Sequence, residues 1–329
     1  VNNSFNDEDT VYDFGKDCDI VTVEIEHVSV NGLKRLEAEG VCVAPSSAVI
    51  ELIQDKGLQK NFFKANNIPT SDFLLINEKA DLKNNLDFLP AFQKLRREGY
   101  DGRGVQKIRK QEDIEKAFEK PSVLEKQVDI AVEFSVLSAR STTGEVIIYE
   151  PVEMHFHEGH NILDKLIAPS ELSKEVIKKS REIAVQVVEL LDYHGIMAIE
   201  MFLDKSGEIY VNELAPRPHN SGHQTIEGAY TSQYDQHFRA ISGLPLGNPD
   251  FIWHTVMINL LGEEGHSGEV VYEGLAEVLK IQGVFVHLYG KKLTRPWRKM
   301  GHITVMSENR EDAVKKAEMA RDMIKVTSK

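Results

Sequence analysis

Two carboxylates, Glu200 and Glu213, carry the clearest chemical signal in the chain. They lie in Ile196-Met-Ala-Ile-Glu-Met-Phe-Leu-Asp204 and Glu208-Ile-Tyr-Val-Asn-Glu213, apolar, β-branched and aromatic runs that flank a turn of Asp204-Lys-Ser-Gly207 composition. Such runs around a tight reversal pair as an antiparallel hairpin. A turn centred on Lys205 and Ser206 sets Glu200 opposite Val211. Strand alternation then projects Glu213 on the same face as Glu200, at a diagonal spacing of roughly 7–8 Å. A pair so placed suits Mg²⁺, which takes a few carboxylates and completes its shell with substrate phosphates. A solvated sheet face would carry the same pair, so the other motifs must decide.

Glu98-Gly99-Tyr100-Asp101-Gly102-Arg103-Gly104 follows an apolar stretch bearing Lys94. Glycines let successive backbone N–H groups converge on an anion, and an ammonium beside them can reach phosphate oxygens. The spacing is neither a Walker loop nor a dinucleotide fingerprint, and a glycine-rich hairpin turn is the alternative. Glu125-Lys126-Gln127-Val128 joins strand residues to a polar edge, as adenine recognition by backbone groups requires; a plain edge strand looks the same. Glu133 could accept from ribose hydroxyls, or simply face solvent. In Arg217-Pro-His219-Asn220-Ser221-Gly222-His223, Arg217 offers a bidentate anion clamp and His219 a hydrogen-bonding or proton-transferring imidazole. Lys291 to His302 is a basic cluster, read either as a phosphate-monoester pocket with Arg298 as its clamp or as a solvated cationic turn.

The elements that must position these groups read as follows. Residues 18–65 alternate strand (19–25), helix (30–39), strand (41–44) and helix (47–65), part of a parallel α/β sheet. Residues 71–151 form a smaller α+β unit able to move as a lid, with strands at 73–76, 91–94, 123–126, 132–139 and 145–149 and a helix at 111–119. A long helix (171–192) precedes the carboxylate hairpin, another covers 232–241, and Gly243 to Gly247 is punctuation. Strands at 255–261, 284–289 and 302–307 and a final helix complete the chain.

The chain has 329 residues, 41% hydrophobic and 28% charged, enough for a large core in two or three subdomains. A formal net charge of -13 argues against general affinity for nucleic acid or anionic membrane. Cys18 and Cys42 are the two cysteines, in no metal-ligand spacing, and are expected to pack as small hydrophobes in a reducing cytoplasm. No apolar run reaches membrane-spanning length. The chain opens in mid-pattern at Val1, without Met, and is read as truncated.

Together the motifs resemble the ATP-grasp enzymes, and more narrowly the N5-carboxyaminoimidazole ribonucleotide synthetase family, over about residues 4–310. The most specific pieces are Gly99 to Gly104, Asn212 to His223, Gly243 to Gly247 and Arg298 to His302. The resemblance implies an α/β ATP-grasp fold divided into the remainder of an N-terminal parallel domain (1–68), a lid (69–151), a Mg-nucleotide subdomain (152–250) and a small C-terminal α+β domain (251–329). It implies carboxylation of 5-aminoimidazole ribonucleotide by bicarbonate and ATP through carboxyphosphate, one or two Mg²⁺ ions, and a homodimer. By position, Lys56, Lys94, Gly99, Tyr100, Asp101, Gly102, Arg103, Gly104, Val105, Glu125, Lys126, Gln127, Val128, Glu133, His157, Asn212 and Glu213 correspond to the ATP site, with Glu200 and Glu213 on metal. Tyr100, Asp101, Arg217 and His219 correspond to catalytic groups, and Lys291, Arg298 and Asn220 to substrate contacts.

Three departures from the family pattern stand out. Lys56 occupies a position where arginine is usual, Val105 replaces a common glutamine, and the segment around His155, His157 and His160 is about two residues longer than the usual pattern. The family's glycine-rich N-terminal segment is absent, which implies a weakened or inactive chain unless it is supplied; full turnover by residues 1–329 alone would refute that. The nearest alternative is another ATP-grasp ligase such as formate-dependent glycinamide ribonucleotide transformylase. A non-catalytic nucleotide-binding module is the alternative from another class.

Overall fold

The computed structural model describes residues 3–97, 99, 104–157 and 162–329. The chain begins with α1 (Glu8–Gly15), β1 (Ile20–Val21), α2 (Val30–Ala38), β2 (Cys42–Val43), α3 (Ser47–Ile53) and α4 (Lys56–Ala65). β1 and β2 pair in parallel, Ile20 with Cys42 and Val21 with Val43, around a core of Val11, Val21, Val23, Leu33, Leu36 and Ile50. The first strand stops at Val21, short of the expected Ile25. Beyond it the backbone is held by a side chain instead of a ladder, the Gln54 amide donating to the carbonyls of Glu26 (2.7 Å) and Val28 (2.8 Å).

Two expectations here are corrected. Cys18 and Cys42 are exposed, not packed, because one follows α1 in a turn and the other lies on a two-residue strand whose outer face meets solvent. The helix expected over 47–65 is broken at Gln54 and Asp55. Asp55 takes extended angles and its carboxylate accepts the N–H groups of Gly57 and Leu58, so a second helix starts there.

Next come β3 (Phe73–Ile76), β4 (Ala91–Leu95), β5 (Val105–Ile108) and β6 (Ser122–Lys126), an antiparallel sheet in the order β3-β6-β4-β5. One face packs Ile76, Ala91, Ile108 and Leu124 against Leu82, Ile114 and Ala117. The helix expected at 111–119 is a 3-10 helix, Gln111–Lys116.

The chain continues through β7 (Ile130–Arg140), β8 (Val146–Ile148), β9 (Val152–Phe156), β10 (Leu163–Ala168), α5 (Lys174–Leu190), β11 (Gly195–Asp204), β12 (Ile209–Ala215) and α6 (Gln233–Ile241). It ends with β13 (His254–Leu261), β14 (Gly268–Glu273), β15 (Val284–Leu288), β16 (Leu293–Thr294), β17 (Lys299–Ser307), α7 (Arg310–Met323) and β18 (Lys325–Ser328). By contact density it divides into two units, residues 1–148, 173–219 and 234–246 in the first and 149–172, 220–233 and 247–329 in the second.

In the first unit β11 lies between β7 and β12, and β8 pairs with β7. In the second, the order β9-β10-β13-β17-β15 is antiparallel throughout, with β16-β14-β18 as a small second sheet. α7 buries Ala313, Ala317 and Ala320, spaced four and three residues apart on one face, in the core formed by Val256, Ile258, Ile303 and Val305. Among the described residues no helix is long and apolar enough to cross a membrane.

One buried imidazole in the first unit ties α6 to β11. His237 Nδ1 accepts the Ile196 N–H (3.1 Å), which leaves Nε2–H to donate to the Thr22 hydroxyl (2.8 Å). Burial lowers its pKa from 6.5 to about 4. Between those values the unfolded chain binds the proton and the folded chain does not, so this stabilisation is full above about pH 6.5 and is lost as pH falls toward 4. We expect the melting temperature to drop across that window, and the slope to flatten in His237→Gln. An unchanged slope in the variant would reject this account.

Candidate active site

The hairpin forms, with a different register from the one expected. Leu203 pairs with Ile209, Phe202 with Tyr210 and Met201 with Val211, one residue beyond a turn centred on Lys205 and Ser206. Continued regularly, that register would set Asn212 opposite Glu200 and turn Glu213 to the other face. A bulge between Glu200 and Met201 absorbs the extra residue, and Glu200 faces Glu213 directly instead of diagonally. Both expectations about spacing are thereby corrected, while the shared face stands. The neighbouring strand adds a third acid: Glu133 of β7 is opposite Phe202, and Ser135 opposite Glu200, on that same face.

Cations from two further elements meet these acids. The Lys56 ammonium, at the first position of α4, bonds Glu213. Lys94, on β4, reaches Asn212 Oδ1 at 3.0 Å and Glu125 Oε1 at 3.1 Å. Lys60, one turn after Lys56, is 3% exposed and holds the other Glu125 oxygen at 3.0 Å, with the Thr70 hydroxyl at 2.7 Å. The bulge explains why Asn212 and Glu213, adjacent in sequence, both meet these lysines.

The electrostatics follow. Burial, then the charges of Glu213 and Glu133, push Glu200 up to about 8. Lys56 outweighs burial at Glu213 and holds it low, although 40% of that side chain stays open to solvent. Burial raises Glu133 as well. Burial alone would raise Glu125, but Lys94 and Lys60 prevail and lower it to about 2, whereas burial outweighs the partner at Lys60 and brings it down to about 8. Among the described residues no group of three or more His, Cys, Asp or Glu side chains is arranged as a metal cage. A facing pair of hard oxygen ligands, one of them biased toward its protonated form by burial and the neighbouring acids, fits a divalent ion that brings further ligands with its substrate.

The other expected site residues fall as follows. His219 Nε2 lies 3.5 Å from Glu200 Oε1, beside the acids. Arg217 binds Glu26 at 2.8 Å and the Pro218 carbonyl at 3.0 Å, so its guanidinium is held within the first unit. Val105 is opposite Lys94 on the sheet, and a Cβ at Gly104 would come within 3.2 Å of Gly99 Cα. The Lys126 ammonium turns to the carbonyls of Phe88 and Leu89, and the N–H groups of Lys126 and Gln127 bond Asp72 and Pro90 at the strand end leading to Val128. Tyr100, Asp101, Gly102 and Arg103, and His160, lie outside the described residues.

Asn220, His155, His157, Lys291 and Arg298 belong to the second unit. There His157 bonds Asp164 (3.2 Å) and sets its ring edge-on to Trp297 in the basic segment. Lys291 donates to the Lys299 carbonyl at 2.6 Å and Arg298 to the Leu293 carbonyl at 2.7 Å. Beside them three imidazoles form a column. His302 stacks on His223 at 4.7 Å and on His287 at 4.5 Å, His287 bonds Glu227 (2.6 Å), and Tyr289 meets His302 Nδ1 (3.0 Å). Gly301 allows this, since a Cβ there would lie 2.3 Å from the His287 carbonyl oxygen. Burial, then the charges of His223 and His287, lower His302 to about 3.

Sequence reasoning missed Lys60, Asp55, Arg96 and Glu26. A signal existed for the first two: Asp is a favoured N-cap residue type, and Lys56 and Lys60 share a helix face at a spacing of four. For Glu26 and Arg96 nothing local distinguishes a half-buried ion-pair partner from a surface charge.

A mixed α/β fold in which a two-acid hairpin is met by one lysine from a helix and another from an antiparallel four-stranded sheet defines the ATP-grasp class, and the ATP-grasp domain family matches residues 61–234. The ribonucleotide synthetase preATP-grasp domain matches residues 1–54, and the phosphoribosylaminoimidazole carboxylase C-terminal domain residues 255–316. The chain belongs to the N5-carboxyaminoimidazole ribonucleotide synthetase family. It is similar to the crystal structure of that enzyme from Thermotoga maritima, with 44% identity and a TM-score of 0.91, covering 99% of this chain and 87% of that one. The enzyme from Aspergillus clavatus, solved with ADP and 5-aminoimidazole ribonucleotide, is 30% identical with a TM-score of 0.88, covering 98% and 85%. A curated relative, the chloroplastic phosphoribosylaminoimidazole carboxylase of Vigna aconitifolia, is 37% identical over 93% of this chain, which spans 56% of that protein's length.

Proposed function

We propose that the chain joins bicarbonate to the amine of 5-aminoimidazole ribonucleotide at the expense of ATP, giving N5-carboxyaminoimidazole ribonucleotide, ADP and phosphate. The observation that carries this reading is Glu200 facing Glu213 beside Lys56 and Lys94. Phosphoryl transfer needs alignment and charge neutralisation more than covalent help. Lys94 and the glycine-rich segment would hold the polyphosphate, Glu125 to Val128 the adenine, and Glu133 the ribose. Glu200 and Glu213 would hold one or two Mg²⁺ ions, which neutralise charge on the transferring phosphoryl group. Lys56 supplies charge where an arginine would supply a fork, so its hold on phosphate is less directional.

Tyr100, Asp101, Arg217 and His219 would serve bicarbonate and the amine, and Asn220, Lys291 and Arg298 the ribonucleotide. His219 beside Glu200 would be placed to hydrogen-bond a reacting oxygen. Carboxyphosphate, the expected intermediate, is lost to water, so within residues 69–151 the four-stranded sheet would act as a lid while β7 and β8 stay paired with the hairpin sheet, and 1–68, 152–250 and 251–329 would be the other parts. We read the enzyme as a cytoplasmic homodimer that engages neither nucleic acid nor membrane.

The test is phosphate release with ATP, Mg²⁺, bicarbonate and aminoimidazole ribonucleotide, omitting each in turn. Dependence on all four is expected. Stimulation by formate in place of bicarbonate, or no stimulation by the ribonucleotide, would overturn the assignment.

A further inference from the structure

Lys56 and Lys94 come from different elements, and one buried carboxylate joins those elements. Asp55, 5% exposed, precedes Lys56 at the start of α4. Its Oδ1 accepts the Gly57 N–H (2.9 Å), the Leu58 N–H (3.2 Å) and Arg96 Nε (2.8 Å), and its Oδ2 accepts Arg96 Nη2 (2.8 Å) and, more weakly, Arg97 Nε (3.4 Å). Arg96 follows β4, two residues after Lys94, and its carbonyl accepts the Lys56 N–H at 2.9 Å. The fork is tightly fitted: a Cβ on Gly57 would stand 2.7 Å from Arg96 Nε. At the far ends of this joint, Lys56 reaches Glu213 and Lys94 reaches Asn212, neighbouring residues of one bulge.

We propose that Asp55 is a positioning residue that, through Arg96, locks the helix bearing Lys56 to the strand bearing Lys94 and so fixes the separation of two ammonium groups for a nucleotide polyphosphate. This rests on the nucleotide reading above. A carboxylate is required because it must face backbone donors and a guanidinium fork together. In Asp55→Asn the carboxamide can still cap the helix, but its NH₂ meets the Arg96 donors. Arg96→Lys keeps the charge and loses the fork.

The experiment compares ADP with adenosine, which lacks phosphates, by calorimetry or ligand-detected NMR on the whole chain. Asp55→Asn is expected to weaken ADP roughly tenfold and Arg96→Lys roughly threefold, with adenosine affinity unchanged in both. Arg96→Lys keeps the test usable if Asp55→Asn does not fold. Equal loss of ADP and adenosine, or unaltered ADP affinity with only a lower melting temperature, overturns the positioning role and leaves the nucleotide reading intact. A parent chain that binds neither ligand overturns both.

Discussion

Glu213→Gln is expected to lower bicarbonate-dependent ATP cleavage by about 10²- to 10³-fold, the size typical of removing one group that stabilises developing charge. The argument turns on where the charges already sit. Glu213 is kept ionised by Lys56, while Glu200, opposite it, is biased toward its protonated form by burial. The two acids therefore fail differently on amidation. Glu200→Gln mimics the carboxyl group that the ligand-free protein holds near neutral pH, so its melting temperature without nucleotide should match the parent's while ATP cleavage collapses. Glu213→Gln strands the Lys56 ammonium and should lower both. Cleavage rates and ligand-free melting curves of the two variants decide the matter. Parental cleavage by either one would remove the metal assignment.

Glu125→Leu is expected to have the largest effect on stability. Its carboxylate, 4% exposed, is shared by Lys60 and Lys94 and also accepts the Ser71 hydroxyl at 3.1 Å. Removing one member of a buried ionic group leaves charge without compensation, typically at a cost of about 3–5 kcal/mol. In a protein of this size that corresponds to a fall in melting temperature of roughly 4–7 °C. Lys60 is the more sensitive survivor, because burial already works against its proton. The double variant Glu125→Leu with Lys60→Met should therefore recover part of the loss, whereas Lys60→Met alone costs less, since Lys94 still answers Glu125. Thermal melts at neutral pH would show this order, and a loss under about 1 kcal/mol in Glu125→Leu would contradict it.

Much of the scaffold was legible because periodicity and length carry it. Strand Phe73–Ile76, the long helix now bounded at Lys174–Leu190, and the acid hairpin all follow from alternation or a 3.6-residue stripe. What escaped has physical causes. β9 and β10 flank a polar, histidine-rich segment that masks alternation, and β14 and β18 are short and half exposed. The break at Asp55 was overlooked because its local sign is a single N-cap side chain. The acids themselves were identified by residue type, yet their register was not. A bulge is decided by the ladder as a whole, and no local motif at Asn212 announces it. Arg96 lay beyond reach for a related reason: its partner Asp55 stands 41 positions away in the chain.

The imidazole column of the second unit has a practical consequence. Rings stacked at under 5 Å shift one another's proton resonances through their π currents, so the carbon-bound protons of His302 should resonate outside the usual histidine envelope and stay fixed across neutral titration. One isotope-labelled histidine spectrum would thus give a resident gauge of whether that half of the molecule is intact, readable in every variant whose lesion lies among the lysines and acids of the other half.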